Sequence, residues 1–327
     1  MKAIRYYRYG PPEVLELADI DMPGVGDDDI LVRVRAASVN PLDWHFMRGT
    51  PFVVRFMAGL SRPKASETRL GADMAGSVEA VGRNVTEFQP GDEVFGGLED
   101  RGTLAEYISL RQDGVVLRKP TSLSFEEAAS VPVAGFTALQ ALRDKGQIKP
   151  GHRVLVNGAA GGVGTFAVQI AKAFGAEVTG VCSTQNVVMV ASIGADQVID
   201  YTREDFTQAR RRYDLLIDIA GSRTLGQTRR VLVPQGVLVG VGGPNNGRWI
   251  EPLDRTIRMA VLSPVVSQRM AFFLAHQNRD DLAVLRDLIQ AGKVTPVIDR
   301  TYPLSDAAEA IRYLEQGHAR GKVVVTL

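Results

Sequence analysis

Residues 154–172 read VLVNGAAGGVGTFAVQIAK, and this stretch decides the fold of the second half of the chain. A hydrophobic run enters a glycine-rich turn and continues as a helical pattern, the context that the A-x-G-x-x-G form of the dinucleotide fingerprint requires. Small residues let the backbone approach a pyrophosphate, and the helix N-terminus offers free N–H groups. We predict a nucleotide site here; the alternative is a tight turn with a packing role. Its residues are Ala159, Gly161, Gly162, Val163 and Gly164.

Strand-like and helix-like segments alternate after this turn, with short connections. The strands are AEVTGVC, DQVIDY, YDLLIDIA and GVLVGVGG, and the helices between them include NVVMVASI and an Arg-rich segment. Such alternation predicts a parallel sheet with helices on both faces. Residues 126–266 are therefore expected to form an α/β, doubly wound Rossmann domain.

The first 125 residues follow a different pattern. Short β-rich runs such as DILVRVRAASV and MAGSVEAVG are separated by turn signals, which predicts a small, strongly bent antiparallel barrel. Ser124 and Glu127 have the spacing of a capping box, so the second domain should open near Phe125.

Composition excludes several classes of protein. Lys and Arg number 38 against 37 Asp and Glu, so the net charge of +1 gives no electrostatic basis for binding nucleic acid. One cysteine, Cys182, cannot form an internal disulfide or a cysteine-rich zinc site. The start MKAIRYYRYGPP lacks the apolar core of a signal peptide, and no apolar run has the roughly 20 residues that span a bilayer. We expect a soluble, cytoplasmic protein without integral membrane contact.

The residues after the second strand of the α/β domain bear on the choice of cofactor. An NAD site commonly places Asp or Glu there, on the ribose 2′-hydroxyl. This chain has no acid between Gly180 and Gln185 and offers the hydroxyls of Ser183 and Thr184. NADPH is therefore the predicted cofactor, because a carboxylate at this point would repel a 2′-phosphate. An ordinary polar loop is the alternative.

Motifs along the whole chain resemble the zinc-independent medium-chain dehydrogenase/reductases of the quinone oxidoreductase (zeta-crystallin-like) type. They are ASVNPLDWHFMRG, GADMAGSVEAVG, PGDEVFG, VPVAGFTALQAL, GAAGGVG, GADQVIDY and GHARGKVVV. The resemblance implies a GroES-like catalytic domain of residues 1–125 that is completed by residues 267–327, with the active site between it and the NADP-binding domain. It also implies a homodimer, in which the hydrophobic segment RMAFFLAHQ pairs with its symmetry mate.

Zinc-dependent relatives carry a ligand Cys and a Gly-His-Glu triplet where this chain has Asn40 and Gly71-Ala72-Asp73. Without a Lewis acid, the substrate must already be electrophilic. The resemblance thus implies an NADPH-dependent reductase of quinones or other α,β-unsaturated carbonyl compounds. A biosynthetic enoyl reductase and a non-enzymatic NADPH-binding protein are the alternatives.

The resemblance also assigns the site residues. Asn40, Asp43 and His45 would be catalytic, beside an aromatic wall formed by Trp44; His45 could instead be a packed imidazole and Asp43 a turn residue. Protonation is expected from water or from this group. Thr137, Tyr201 and Lys322 would contact the cofactor, although Thr137 could bond its own helix, Tyr201 could only pack, and Lys322 could be a solvated charge. Backbone groups at the end of the last alternating strand would contact the nicotinamide, at Val239, Gly240 and Val241.

The segment FMRGTPFVVRFMAGLSRP, residues 46–63, is more apolar than we expect of a solvent-exposed loop without a function. We interpret it as a lid over the substrate, because long loops in compact domains are usually functional. Contact with a membrane surface is the alternative. Met47, Phe52, Phe56 and Met57 suit either role.

Overall fold

The computed structural model describes residues 1–98, 102–241, 259 and 266–327, which divide into two units. The first unit comprises Met1–Val133, Gln277–Gln290 and Pro296–Leu327, and the second comprises Ala134–His276 and Ala291–Thr295. The sequence suggested a boundary after residue 125. The observed division lies later because the helix Phe125–Ala129 packs on strands of the first unit, with the Arg35 guanidinium 5.7 Å from the centre of the Phe125 ring.

The strands described in the first unit form two sheets. Their bounds are β1 (Lys2–Arg5), β2 (Glu16–Asp19), β3 (Asp29–Val39), β4 (Asp73–Val81), β5 (Glu93–Gly97), β6 (Tyr107–Arg111), β7 (Val116–Arg118), β14 (Ile298–Pro303) and β15 (Lys322–Thr326). β1 and β2 pair by themselves. The larger sheet has the order β14-β15-β3-β4-β5-β7, with β6 also on β3. All its pairs are antiparallel except β14 with β15, and this sheet agrees with the predicted β-rich domain.

The register of this sheet brings three distant segments together. Ser38 near the end of β3 pairs with Asp73 at the start of β4, and Val39 pairs with Val323 of β15. The end of β3 and the starts of β4 and β15 therefore meet at one edge. Asn40 and Lys322 lie within one residue of these pairs.

Five helices complete the described part of the first unit. They are α1 (Pro41–Arg48), α2 (Val53–Ala58), α3 (Phe125–Ala129), α8 (Arg279–Gln290) and α9 (Ala307–Glu315). The capping box predicted at the start of α3 is present: Glu127 N–H donates to Ser124 Oγ at 3.1 Å, and Ser124 N–H donates to Glu127 Oε2 at 2.8 Å. Helix α9 packs on β14 and β15 and shares a buried core with α1.

The described residues of the second unit form one parallel sheet. Its strands are β8 (Arg153–Asn157), β9 (Glu177–Cys182), β10 (Gln197–Asp200), β11 (Tyr213–Asp218), β12 (Leu232–Gly240) and β13 (Arg269–Phe272). Their order is β10-β9-β8-β11-β12-β13 and every pair is parallel. This is the doubly wound order 3-2-1-4-5-6, which confirms the Rossmann prediction. The predicted last alternating strand ran to Gly243, and its final two residues lie outside the described part of the chain.

In the described part of the second unit, one helix precedes β8 and three connect successive strands. They are α4 (Pro132–Gln140), which begins at the end of the first unit and continues as a π-turn over Ala141–Lys145, α5 (Gly162–Ala173), α6 (Val187–Ser192) and α7 (Leu225–Arg230). β13 falls within the segment RMAFFLAHQ and lies at an edge of the sheet. In the part of the chain that the structure covers, no helix has both the length and the apolar character to cross a membrane.

Candidate active site

The turn between β8 and α5 is shaped by Gly158, whose φ of +94° lies in the left-handed region. The N–H groups of Gly158 and Ala159 both donate to the carbonyl oxygen of Val181 on β9, at 3.2 and 3.0 Å. A side chain on Gly164 would place its Cβ 2.1 Å from the Gly158 oxygen, so only glycine fits there. The glycine pattern therefore seats α5 directly against the end of β8.

Among the described residues, no side chain caps the N-terminus of α5. Its N-cap, Gly161, has no side chain to cap the helix, and the first helical N–H bond runs from Thr165 to the Gly161 oxygen at 2.9 Å. The N–H groups of Gly162, Val163 and Gly164 therefore precede the first intrahelical bond and, with the helix dipole, suit an anion. These residues fit the pyrophosphate of a dinucleotide.

A polar pair that the sequence analysis did not identify marks the point where strand order reverses. Asn157 ends β8, Asp218 ends β11, and Asn157 Nδ2 donates to Asp218 Oδ1 at 2.7 Å with both residues buried. Ligands of doubly wound sheets bind outside the carboxyl ends of the strands at this reversal. A polar residue closing each of two hydrophobic strands is the signal that could have found them.

The cofactor residues predicted on β12 lie at the same edge of the sheet. β12 ends at Gly240, and the N–H of Val241 donates to the backbone carbonyl oxygen of Asp218 at 3.0 Å. Val239 pairs with Ile217 of β11. Thr137 lies within α4 and is partly buried. The carboxyl ends of β8, β11 and β12 thus form one continuous edge.

At the end of β9, the two hydroxyls predicted to meet the cofactor have different hydrogen-bond partners. Thr184 Oγ1 donates to Asp200 Oδ2 at 2.6 Å, so the proton of its hydroxyl is not available to a phosphate. Ser183 Oγ accepts a 3.1 Å hydrogen bond from Asn186 Nδ2, which leaves its own proton to donate. Tyr201 follows β10 and is 51% exposed, so the alternative of simple packing does not apply to it.

In the first unit, Asp73 is the centre of a buried polar cluster. Its Oδ2 accepts from Ser38 Oγ at 2.6 Å, Asn40 Nδ2 at 2.9 Å and Lys322 Nζ at 3.2 Å. Its Oδ1 accepts from the N–H of Val133 at 2.8 Å. Lys322 is only 3% exposed, so the alternative of a solvated charge is wrong. In the sequence, Asp73 stood out only as part of the triplet that replaces the zinc ligands, and its hydrogen bonds to these four groups were not predicted.

The side-chain amide of Asn40 has one possible orientation. Lys322 Nζ, which can only donate, lies 2.6 Å from Asn40 Oδ1, and Asp73 Oδ2, which also accepts from Ser38 and Lys322, accepts a hydrogen bond from Nδ2. A flipped amide would face two donors toward each other and two acceptors toward each other. Bonds to charged groups contribute about 1.5–3 kcal/mol each, so the observed orientation is fixed.

Both side-chain oxygens of Asp43 accept hydrogen bonds from backbone N–H groups. Oδ2 accepts from the N–H of Asn40 and Oδ1 from that of Gly71, each at 2.7 Å, which caps α1 and ties it to the chain before β4. Burial, opposed by these hydrogen bonds, raises the pKa of Asp43 to about 6. The predicted catalytic carboxylate therefore has the backbone-bonding role that the turn alternative described.

His45 is held as a neutral base. Its Nδ1 lies 2.7 Å from the carbonyl oxygen of Thr50, which can only accept, so Nδ1 carries the proton. The imidazole lies against the Trp44 ring, with 3.7 Å between ring centres. Burial lowers the pKa of His45 below its ordinary value of 6.5. Neutral His45 has no proton on Nε2 to donate.

The segment of residues 46–63 is divided between core and surface. Met47 is fully buried, whereas Phe56 and Met57 of α2 are 66% and 67% exposed. Phe52 packs edge-on against Phe56, with 5.6 Å between ring centres. The predictions of a lid and of a surface-binding segment both remain predictions.

The donor set around Asp73 does not fit zinc. A metal ion would need carboxylate lone pairs that Ser38, Asn40, Val133 and Lys322 already occupy, and it would lie beside the Lys322 ammonium. Across residues 1–98, 102–241, 259 and 266–327, no group of three or more His, Cys, Asp and Glu side chains could hold a metal.

Comparison with known proteins gives consistent matches over the whole chain. Residues 26–121 match the alcohol dehydrogenase GroES-like domain, and residues 193–325 match the zinc-binding dehydrogenase model. A mitochondrial NAD(P)H oxidoreductase of Mus musculus is 35% identical, over 98% of this chain and 87% of the relative. The 2-methylene-furan-3-one reductase of Solanum lycopersicum is 34% identical, over 99% and 79%.

Solved structures also match over the full length of this chain. The quinone oxidoreductase of Coxiella burnetii is 34% identical, with a TM-score of 0.86 over 100% of this chain and 99% of that one. An Escherichia coli quinone oxidoreductase complexed with NADPH is 26% identical, with a TM-score of 0.83 over 100% of both chains.

Proposed function

The chain belongs to the quinone oxidoreductase branch of the medium-chain dehydrogenase/reductase family, and from that premise we propose that it is an NADPH-dependent reductase of quinones and other conjugated carbonyl compounds. The observation that carries the choice of acceptor is the occupied carboxylate of Asp73 beside Lys322. A site built this way has no metal to polarise an isolated alcohol or ketone. Its acceptor must therefore be electrophilic by conjugation.

NADPH supplies a hydride when it is bound. The open N–H groups of Gly162, Val163 and Gly164 would hold its pyrophosphate, and Ser183 and Tyr201 would meet the adenosine end. Thr137 and the end of β12, from Val239 to Val241, would meet the nicotinamide, as the family resemblance implies. The Escherichia coli structure complexed with NADPH supports this cofactor.

Asn40 and Lys322 form the polar side of the proposed acceptor site. Lys322 would supply a positive charge, and the amide oxygen of Asn40 holds the Lys322 ammonium in place. Groups that are already oriented stabilise developing negative charge on a carbonyl oxygen without reorganisation. Asp43 and Asp73 position these groups, and neutral His45 leaves protonation to water.

Three further features belong to the proposal. The donor set supports activity without zinc. The edge strand β13 and Leu274, which is 84% exposed, support a homodimer in which β13 pairs with its symmetry mate. A cytoplasmic location remains a prediction from the sequence.

The test is NADPH oxidation by the purified chain with a naphthoquinone, an alkenal and a biosynthetic enoyl thioester, with a simple alcohol and NADP⁺ as the negative control. We expect turnover with conjugated acceptors, preference for NADPH, and no loss after dialysis against a chelator. Tight NADPH binding without oxidation would favour the non-enzymatic alternative, and turnover only with the thioester would favour the enoyl reductase. Stoichiometric zinc whose removal ends activity would refute metal independence.

A further inference from the structure

Asp200 places a carboxylate beside the end of β9, where the sequence between Gly180 and Gln185 has none. Asp200 ends β10 and pairs in parallel register with Cys182, the last residue of β9. Its Oδ2 accepts from Thr184 Oγ1 at 2.6 Å, and its Oδ1 accepts from Thr202 Oγ1 at 2.7 Å and Thr202 N at 3.0 Å. The acid missing from one strand is supplied by its neighbour.

We propose that Asp200 is a residue that sets nucleotide specificity. Its carboxylate disfavours the 2′-phosphate of NADPH and so reduces the preference of the chain for NADPH over NADH. The inference rests on the proposed function, because it concerns the adenosine end of the same nucleotide site. In a doubly wound sheet, the 2′ position of the adenine ribose lies at the end of the second strand, which here is β9.

Charge is the first reason. Hydrogen bonds from Thr184 and Thr202 lower the pKa of Asp200, so its side chain is anionic at neutral pH. That charge is felt at the end of β9, because it contributes, after burial, to raising the pKa of Cys182 to about 11. A 2′-phosphate would bring about 1.5–2 further negative charges to this point.

The direction of the Thr184 hydrogen bond is the second reason. Because Thr184 donates its hydroxyl proton to Asp200, the Thr184 oxygen, which also lies 2.9 Å from Thr202 Oγ1, offers only lone pairs to a ligand. Lone pairs accept from the 2′-hydroxyl of NADH but cannot bond phosphate oxygens, which also only accept. The same carboxylate thus acts through its charge and through the hydroxyl that it orients.

Arg203 offsets only part of the negative charge of Asp200. Its Nε lies 3.4 Å from Asp200 Oδ2, but its side chain is 75% exposed, whereas that of Asp200 is 12% exposed. Exposed ion pairs are weak and screened by salt. Ser183 retains a proton to donate, so NADPH still binds, with a reduced advantage.

The experiment compares Asp200→Asn with the unaltered chain by titrating NADPH and NADH, following nicotinamide fluorescence without an acceptor. We expect the NADPH-to-NADH affinity ratio to rise about 5- to 30-fold through tighter NADPH binding, less at high salt. Asp200→Glu keeps the charge and should keep the original ratio. Ser183→Asp adds a carboxylate and should lower it.

Glu177→Gln is the matched control. It removes the same charge from the opposite end of β9, about 16 Å along the strand, beyond the screening length at ordinary salt. An unchanged ratio in Asp200→Asn with both nucleotides bound would overturn the role of Asp200 and leave the proposed function standing. If the folded, unaltered chain binds neither nucleotide, the proposed function and this inference both fail.

Discussion

The ammonium of Lys322 lies 2.6 Å from the side-chain oxygen of Asn40, although the two residues are 282 positions apart in the chain. Both are buried, and both bond Asp73, so one cation, one amide and one carboxylate share a small volume. Removing one member of a buried ion pair leaves an uncompensated charge, whereas removing both members leaves none.

Lys322→Met should therefore lower the free energy of unfolding by about 3–5 kcal/mol, and the double variant with Asp73→Asn should recover part of that loss. Urea unfolding measures both. The control is Lys172→Met, because Lys172 pairs with Asp196 at 2.8 Å in a partly exposed position and should lose no more than about 1 kcal/mol. Equal losses in the single and double variants would contradict the pairing argument.

Asp43→Asn should destabilise the chain most at low pH, where the contribution of Asp43 to stability is full. An amide can accept on one oxygen only, so the N–H of Asn40 or of Gly71 would face another donor, at a cost of about 1–3 kcal/mol. The pH dependence has a definite sign. Because the folded pKa of Asp43 is raised to about 6, its contribution to stability is full below pH 3.8 and is lost as the pH rises toward 6.

Unfolding measured between pH 4 and 7 should therefore show a decline in the unaltered chain that Asp43→Asn lacks, on the order of 3 kcal/mol. Identical pH profiles for the two proteins would mean that Asp43 is ionised throughout this range.

His45→Phe should lower turnover by less than about 10-fold, because neutral His45 donates its only proton to Thr50 and positioned general acids typically supply more. Phenylalanine keeps an aromatic ring against Trp44, so the local packing should survive. Steady-state rates across pH 6–8 check this. Complete loss of turnover with normal NADPH binding would identify His45 as the essential acid.

Local signals in the sequence predicted much of this fold. The turn from β8 into α5 and the Ser124–Glu127 capping box each depend on residues within about a dozen positions of one another, and both are present. Alternation of strands and helices similarly gave the parallel sheet.

The polar clusters could not be predicted in the same way. Asp73 meets Lys322, and Asp200 meets Thr184, only because specific strands lie side by side in a specific register. A shift of one residue in either register would reverse which face a side chain occupies, and hydrophobic periodicity does not give strand order. The residues after β9 therefore do not account for every charge at this end of the sheet, because Asp200 of the neighbouring strand β10 supplies a carboxylate there.

Substitutions at two glycines of the nucleotide turn should distinguish an effect on NADPH binding from an effect on folding. A Cβ on Gly161 would lie no closer than 3.6 Å to any neighbouring atom, and its φ of −81° suits any residue. Gly161→Leu should therefore fold normally but lower NADPH affinity at least about 100-fold, because its side chain covers the N–H groups that approach the pyrophosphate. In Gly164→Ala the added Cβ would meet the Gly158 oxygen at 2.1 Å, so stability should fall as well. Thermal unfolding and nicotinamide fluorescence on both variants make the comparison. Normal NADPH binding by Gly161→Leu would show that the nucleotide does not use this turn.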